Sequence, residues 1–169
     1  MNKILLRVNE ILKMNKVNSV PVDLEKIAKN FDIRIVYSEL ENDISGFLYS
    51  KNEKPIISVN KNHPTSRKRF TIAHELGHFI LNHHGDLFID KGRVLYRNTS
   101  SQDGIIKEER EANRFAAELL MPEEMLLKEL IENEIDIENA NQLTELAEKF
   151  GVSTQALTIR LTNLGWSFI

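Results

Sequence analysis

The most informative absence in this sequence is cysteine. None of the 169 residues is a cysteine, which excludes disulfide bonds and every zinc site built from thiolates. A metal site in this chain must therefore be assembled from histidine and carboxylate side chains. Glycine and proline are also few, with 7 and 4 residues. The chain contains no internal repeats or low-complexity tracts, so its composition is that of an ordinary soluble globular protein.

Long hydrophobic runs are absent as well. The first apolar run, Ile4 to Leu6, is followed by Arg7, Glu10 and Lys13, whereas a secretion signal needs about 7–15 uninterrupted apolar residues. No window approaches the roughly 20 apolar residues of a membrane-spanning helix. We therefore expect a cytoplasmic protein.

The charge is distributed unevenly along the chain. Residues 123–169 contain nine acidic residues and three basic ones, which gives −6, so the total of −3 leaves +3 for the rest. A segment with this excess of negative charge is poorly suited to contact a phosphate backbone.

The hydrophobic pattern predicts an α+β protein with a small antiparallel sheet and a helical C-terminal tail. The helix that follows Pro64 is expected to be capped by Thr65 or Ser66. The predicted helices cover residues 3–14, 23–31, 65–82, 107–120, 122–133, 139–150 and 153–163, and the predicted strands cover residues 33–37, 46–50, 56–60 and 92–96.

The segment His74-Glu75-Leu76-Gly77-His78 matches the pattern H-E-x-x-H of zinc metalloproteases. Residues four apart lie one turn along the same helix face, so His74 and His78 can converge on one ion. Glu75 follows the first of these ligands and is placed to act as a general base. Gly77 has no side chain, which allows another backbone or a substrate to approach closely.

The alternative is a helix whose two histidines are satisfied by local hydrogen bonds. The apolar frame FTIAHELGHFIL argues against it, because burying two imidazoles and a carboxylate without partners is costly. We therefore favour a metal site.

A catalytic zinc site needs a third protein ligand, and the segment from Glu108 to Asn113 offers the candidates. Glu109, Ala112 and Asn113 share one helix face, so Glu109 is the expected ligand and Asn113 a hydrogen-bond partner for a ligand imidazole. Glu111 points about 200° away from Glu109. Glu108, Glu111 and Glu118 are accordingly interpreted as a solvated acidic face.

Two segments together, RFTIAHELGHFILNH and EREANRFAAELLMP, resemble the ImmA/IrrE family of metallopeptidases, as do GFLYSKNEKPIISVN and LAEKFGVSTQALTIRLTNLG. The metal-binding glutamate that opens the family pattern E-x-x-A-x-x-F-A corresponds to Glu109. The resemblance implies a zincin-like catalytic domain, here assigned to residues 1–122, with a helix-turn-helix-like module at residues 123–169 packed on it. It also implies a zinc endopeptidase that cleaves a helix-turn-helix repressor and so derepresses mobile-element, prophage or stress genes.

Several alternatives stay open at the level of sequence. The tail has a helix-turn-helix rhythm, so the chain could instead be a DNA-binding regulator, or it could be a zinc protein that binds its partner without cutting it. Mn²⁺ or Fe²⁺ could replace Zn²⁺ in this ligand set. Tyr96 and His83 are the candidates for stabilising the oxyanion or contacting substrate. We expect the substrate to bind as a strand along Ile56–Asn60 or Gly46–Ser50.

Overall fold

The computed structural model of the protein describes residues 3–49, 54–83, 87–91 and 102–166. These ranges contain seven helices and four strands in a mixed α+β arrangement. The helices are α1 (Lys3–Met14), α2 (Leu24–Asn30), α3 (Thr65–Ile80), α4 (Gln102–Leu120), α5 (Glu123–Glu132), α6 (Ala140–Phe150) and α7 (Thr154–Asn163), and the strands are β1 (Arg34–Ser38), β2 (Ile44–Tyr49), β3 (Ile56–Asn60) and β4 (Leu87–Lys91).

The sheet has the strand order β1-β3-β2-β4. Strand β2 pairs antiparallel with both β3 and β4, whereas β1 pairs parallel with β3. The expected all-antiparallel sheet is therefore wrong, and the sheet is mixed. The reason is the order in which the strands enter the sheet. Strand β2 does not pair with β1 but lies two positions away from it, and β3 then fills the position between them. Because β3 runs antiparallel to β2, it runs parallel to β1.

This order also corrects the expected location of the substrate strand. Both proposed docking strands, Ile56–Asn60 and the segment beginning at Gly46, have hydrogen-bonded neighbours on their two sides. A peptide can add only to an edge strand. Among the described residues, the edges of the sheet are β1 and β4.

Helix α3 contacts β2, β3 and α4, so it lies at the centre of the fold. It begins at Thr65 after Pro64, and no side chain caps its N-terminus. The predicted cap by Thr65 or Ser66 is wrong, because Pro64 occupies the N-cap position and Thr65 is already helical. By contrast, Asp23 caps α2, since its Oδ1 accepts a hydrogen bond of 2.9 Å from the Lys26 amide.

Helix α4 begins at Gln102, five residues before the predicted start at Lys107. Gly104 lies in this added first turn, and glycine in a helix costs about 1 kcal/mol relative to alanine. The helix propensity of these residues therefore does not predict the first turn of α4. The predicted strand at Gly92–Tyr96 lies outside the described residues.

The tail forms the three predicted helices. Asn139 and Ser153 cap α6 and α7, and Gly151 ends α6 with φ 67°, a left-handed conformation that glycine adopts without strain. The buried side chains of α6 and α7 belong to the same hydrophobic cluster as those of α1, α3 and α4. The division at residue 122 stays a prediction.

Candidate metal centre

The predicted convergence of His74 and His78 is observed on α3. Their Nε2 atoms lie 3.0 Å apart, and both residues are buried. This proximity follows from their spacing of four residues on one helix.

Glu109 reaches the same point from α4. Its carboxylate oxygens lie 3.4 Å from His74 Nε2 and 3.3 Å from His78 Nε2. Gly77 allows α4 to approach this closely, because a Cβ atom there would lie 3.2 Å from the Ala112 Cα and 3.1 Å from the Phe115 ring. One helix thus presents two imidazoles, and the other closes the set with a carboxylate.

These three side chains form the group that could hold a metal ion among the described residues. Zinc with bonds of about 2.0–2.2 Å in tetrahedral geometry holds its ligand atoms about 3.3–3.6 Å apart. The separations of 3.0, 3.3 and 3.4 Å are close to this range. Two imidazole nitrogens and one carboxylate also form a ligand set of catalytic zinc sites, which leaves a fourth position open. The residues present therefore fit zinc.

His74 is oriented by two neighbours. Its Nδ1 lies 3.1 Å from Asn113 Oδ1 on α4, and because this oxygen can only accept, Nδ1 carries the proton. The lone pair of neutral His74 is consequently on Nε2, which faces Glu109. Phe70, one turn earlier, stacks on the imidazole with ring centroids 6.3 Å apart.

Glu75 is fully buried on α3, between the two histidines in sequence. A carboxylate in a buried position beside a metal site is suited to accept and return a proton.

The pKa values of His78 and Glu109 are shifted in a way that suits metal binding. Burial lowers the pKa of His78 below 6.5, an effect larger than that of the opposing hydrogen bond that His78 donates to Glu109. Burial alone would raise the pKa of Glu109, but the hydrogen bonds and charges of His74 and His78 outweigh it and lower the pKa to about 2. A neutral His78 and an ionised Glu109 are the states in which these side chains bind metal.

His83 lies against the outer side of His78. Its Nδ1 is 3.0 Å from His78 Nδ1, and its Nε2 is 3.2 Å from Glu111 Oε2. Both ring nitrogens of His83 are therefore engaged by protein groups. The interpretation of Glu111 as part of a solvated acidic face is only partly right, because its side chain is 35% exposed but its carboxylate faces His83, whose side chain is 4% exposed.

The sequence contains a signal for the position of His83, because Asn82 is of a residue type that can end a helix in the left-handed conformation. Asn82 indeed has φ 54°. The His83 amide donates to His78 O, and the Asn82 amide donates to Phe79 O. This is the Schellman motif, which folds the second residue after a helix back over its last turn. The role of Glu111 gave no such signal, because it depends on how α3 and α4 cross. Tyr96, the other candidate, lies outside the described residues.

Comparisons with known proteins found a family and relatives that this chain resembles. The family model for the IrrE N-terminal-like domain, peptidase M78, matches residues 28–162. The uncharacterized immunity region protein 2 of Bacillus phage phi105 is 33% identical over 99 residues, which are 58% of this chain and 58% of that protein. A solved transcriptional regulator of Mycobacterium tuberculosis has a TM-score of 0.67 at 17% identity, over 96% of this chain and 47% of that one. This last likeness shows a shared fold alone, and the chain spans about half the length of both relatives.

Proposed function

Because this chain belongs to the peptidase M78 family, we propose that it is a zinc-dependent endopeptidase in which His74, His78 and Glu109 hold the metal. The observation that carries the proposal is the convergence of two imidazole Nε2 atoms and a carboxylate within 3.0–3.4 Å of one another. The same ligand set accommodates manganese or iron, so the metal present in the cell is decided by metal analysis.

Glu75 is the proposed catalytic base. When bound, zinc supplies the Lewis acidity that activates a water molecule and polarises the scissile carbonyl. Glu75 accepts a proton from that water and delivers it to the leaving nitrogen, a role typically worth about 10²–10⁴-fold in rate. Asn113 holds His74 in the tautomer that presents Nε2.

The arrangement of α3, α4 and the sheet supports a zincin-like catalytic domain over residues 1–122, with residues 123–169 as an appended helical module. In the part of the chain that the structure describes, strand β4 is an edge of the sheet and contacts α3, the helix that carries His74 and His78. An extended peptide that adds to β4 would form main-chain hydrogen bonds beside the metal site. We therefore assign the substrate strand to the β4 edge.

A helix-turn-helix repressor is the proposed substrate, and a cytoplasmic location follows from that proposal. The family resemblance of the paired motifs favours it, and the phage relative carries the name of an immunity region protein. No helix in the described part of the chain is long and apolar enough to cross a membrane.

The structure gives little support to the alternative of a DNA-binding regulator. Arg160 supplies the positive charge of α7, but its side chain is 6% exposed and pairs with Glu118. A buried, paired guanidinium is not available to a phosphate.

The proposal is tested by cleavage. The protein is loaded with zinc and incubated with purified helix-turn-helix repressors from the host and its mobile elements, and in parallel with a quenched peptide library. We expect discrete repressor fragments that disappear with a chelator. A zinc-loaded protein that co-purifies with a repressor but cuts neither it nor any library peptide would instead be a binding protein.

A further inference from the structure

Two residues outside the proposed ligand set, His83 and Glu111, form a chain of hydrogen bonds that ends on a ligand. Glu111 lies 3.2 Å from His83 Nε2, and His83 Nδ1 lies 3.0 Å from His78 Nδ1. The rings of His83 and His78 meet edge to face, with centroids 5.0 Å apart. The side chains of both histidines are almost completely buried.

The direction of these hydrogen bonds follows from the acid at the end of the chain. An ionised carboxylate only accepts, so His83 Nε2 is the nitrogen that carries the proton. With Nε2 donating to Glu111, His83 Nδ1 is left to accept a hydrogen bond from His78 Nδ1. His78 is thereby held with its lone pair on Nε2, the atom that lies 3.3 Å from Glu109.

From this geometry we infer that His83 and Glu111 are positioning residues that fix the tautomer and the ring orientation of His78 for metal binding. The inference rests on the proposed function, because it deepens the assignment of the metal site. His83 and Glu111 would fix the tautomer of His78 in the way that the Asn113 side-chain amide fixes the tautomer of His74. His83 has this role instead of donating to an oxyanion.

The local fold supports the inference independently of the side-chain distances. The Schellman motif at the end of α3 places His83 over His78 through backbone hydrogen bonds. Glu111 follows two residues after Glu109 on α4. His74 and Glu109 therefore lie on the Nε2 side of the His78 ring. His83, which Glu111 contacts, lies on its Nδ1 side.

Zinc affinity and histidine tautomers together test this inference. His83→Leu removes the acceptor, while His83→Asn places an amide oxygen near the position of Nδ1 and keeps it. Removing such a partner typically costs 10–100-fold in metal affinity. We expect a loss of about that size for His83→Leu, substantial rescue by His83→Asn, and a loss for Glu111→Ala. The matched control is Glu132→Ala, which removes the same charge from an exposed position on α5.

The second measurement is nitrogen-15 NMR of histidine in the wild-type, zinc-loaded protein at pH 8, above the ordinary titration range of histidine. We expect protonated Nδ1 in His78 and protonated Nε2 in His83. Protonated Nε2 in His78, or zinc affinity of His83→Leu within twofold of wild type, would overturn the inference. If His83→Leu does not fold, His83→Asn and the wild-type spectrum still decide it.

The two proposals can fail separately. A wild-type protein that binds no zinc contradicts the proposed function, whereas one that binds zinc and shows protonated Nε2 in His78 contradicts only the inference. A protein that binds zinc equally well with leucine or histidine at position 83 contradicts only the role of His83.

Discussion

Arg160 on α7 pairs with Glu118 on α4, and the side chains of both are 6% exposed. Arg160 Nε also donates to Met121 O at 3.2 Å. The Arg160 guanidinium of the tail and the Glu118 carboxylate of α4 are thus buried as a pair. This pair links the helix-turn-helix-like tail to the helix that completes the metal centre.

The first prediction concerns this ion pair. We expect Arg160→Ala to lower the free energy of unfolding by about 3–5 kcal/mol, because it removes the buried cation of the Glu118 carboxylate and leaves only the more distant, exposed Arg114 near it. Arg114→Ala is the control: Arg114 lies 3.8 Å from the same carboxylate but is 52% exposed, and its loss should cost less than about 1 kcal/mol. Urea denaturation measures both. Similar losses in the two variants would mean that burial does not govern the pair.

The second prediction is that the protein does not bind duplex DNA through its tail. Residues 123–169 carry −6, and the Arg160 guanidinium of α7 is already paired. A fluorescence titration at low salt, where electrostatic binding is strongest, should show no salt-sensitive binding. Tight binding that rises as salt falls would require a different basic surface and would favour the regulator.

The convergence of the candidate metal ligands was predictable from sequence, because the helical spacing of the residues determines most of it. His74 and His78 are four apart on one helix, so their convergence needs no tertiary information. The approach of Glu109 was also predictable, since small residues at Gly77 and Ala112 indicate where two helices can meet closely.

The features that sequence did not predict depend on long-range contacts. Glu118 looked like a surface acid, because nothing local indicates that Arg160, 42 residues later, lies against it. The parallel pairing of β1 with β3 depends on the order in which the strands enter the sheet. Periodicity reports which face of a strand is buried but not which strand lies beside it.

The third prediction concerns the ligand on α4. We expect Glu109→Ala to weaken zinc binding more than Glu111→Ala, because Glu109 contacts both histidines at the site whereas Glu111 contacts His83. Zinc at 100 times its dissociation constant stabilises a folded protein by about 2.7 kcal/mol, so wild type should gain thermal stability with zinc and Glu109→Ala should gain little. Metal titration and thermal melts check the ranking. The reverse order would place the ligand at Glu111.

The fourth prediction is the pH dependence of the zinc-free protein. Burial lowers the pKa of His78 below 6.5, so the unfolded chain binds more protons than the folded one as pH falls through 6.5, and stability falls. Glu109, with its pKa lowered from 4.5 to about 2, contributes stability above pH 4.5 that is lost as pH falls from 4.5 towards 2. The melting temperature should therefore decrease from pH 7.5 to 4. His78→Gln should flatten the change between pH 7 and 5.5.

The fifth prediction separates catalysis from metal binding. Glu75→Gln preserves the size of the side chain but removes its ability to accept a proton, so we expect zinc content and affinity close to wild type and a loss of cleavage of about 10²–10⁴-fold. Glu75 is fully buried on α3, so the amide also tests whether the fold tolerates the change, which circular dichroism and a thermal melt would report. Metal analysis and the rate of repressor or library-peptide cleavage are measured on the same preparation. A variant that loses its zinc would make Glu75 part of the ligand set, and one that binds zinc and still cuts at the wild-type rate would require another base.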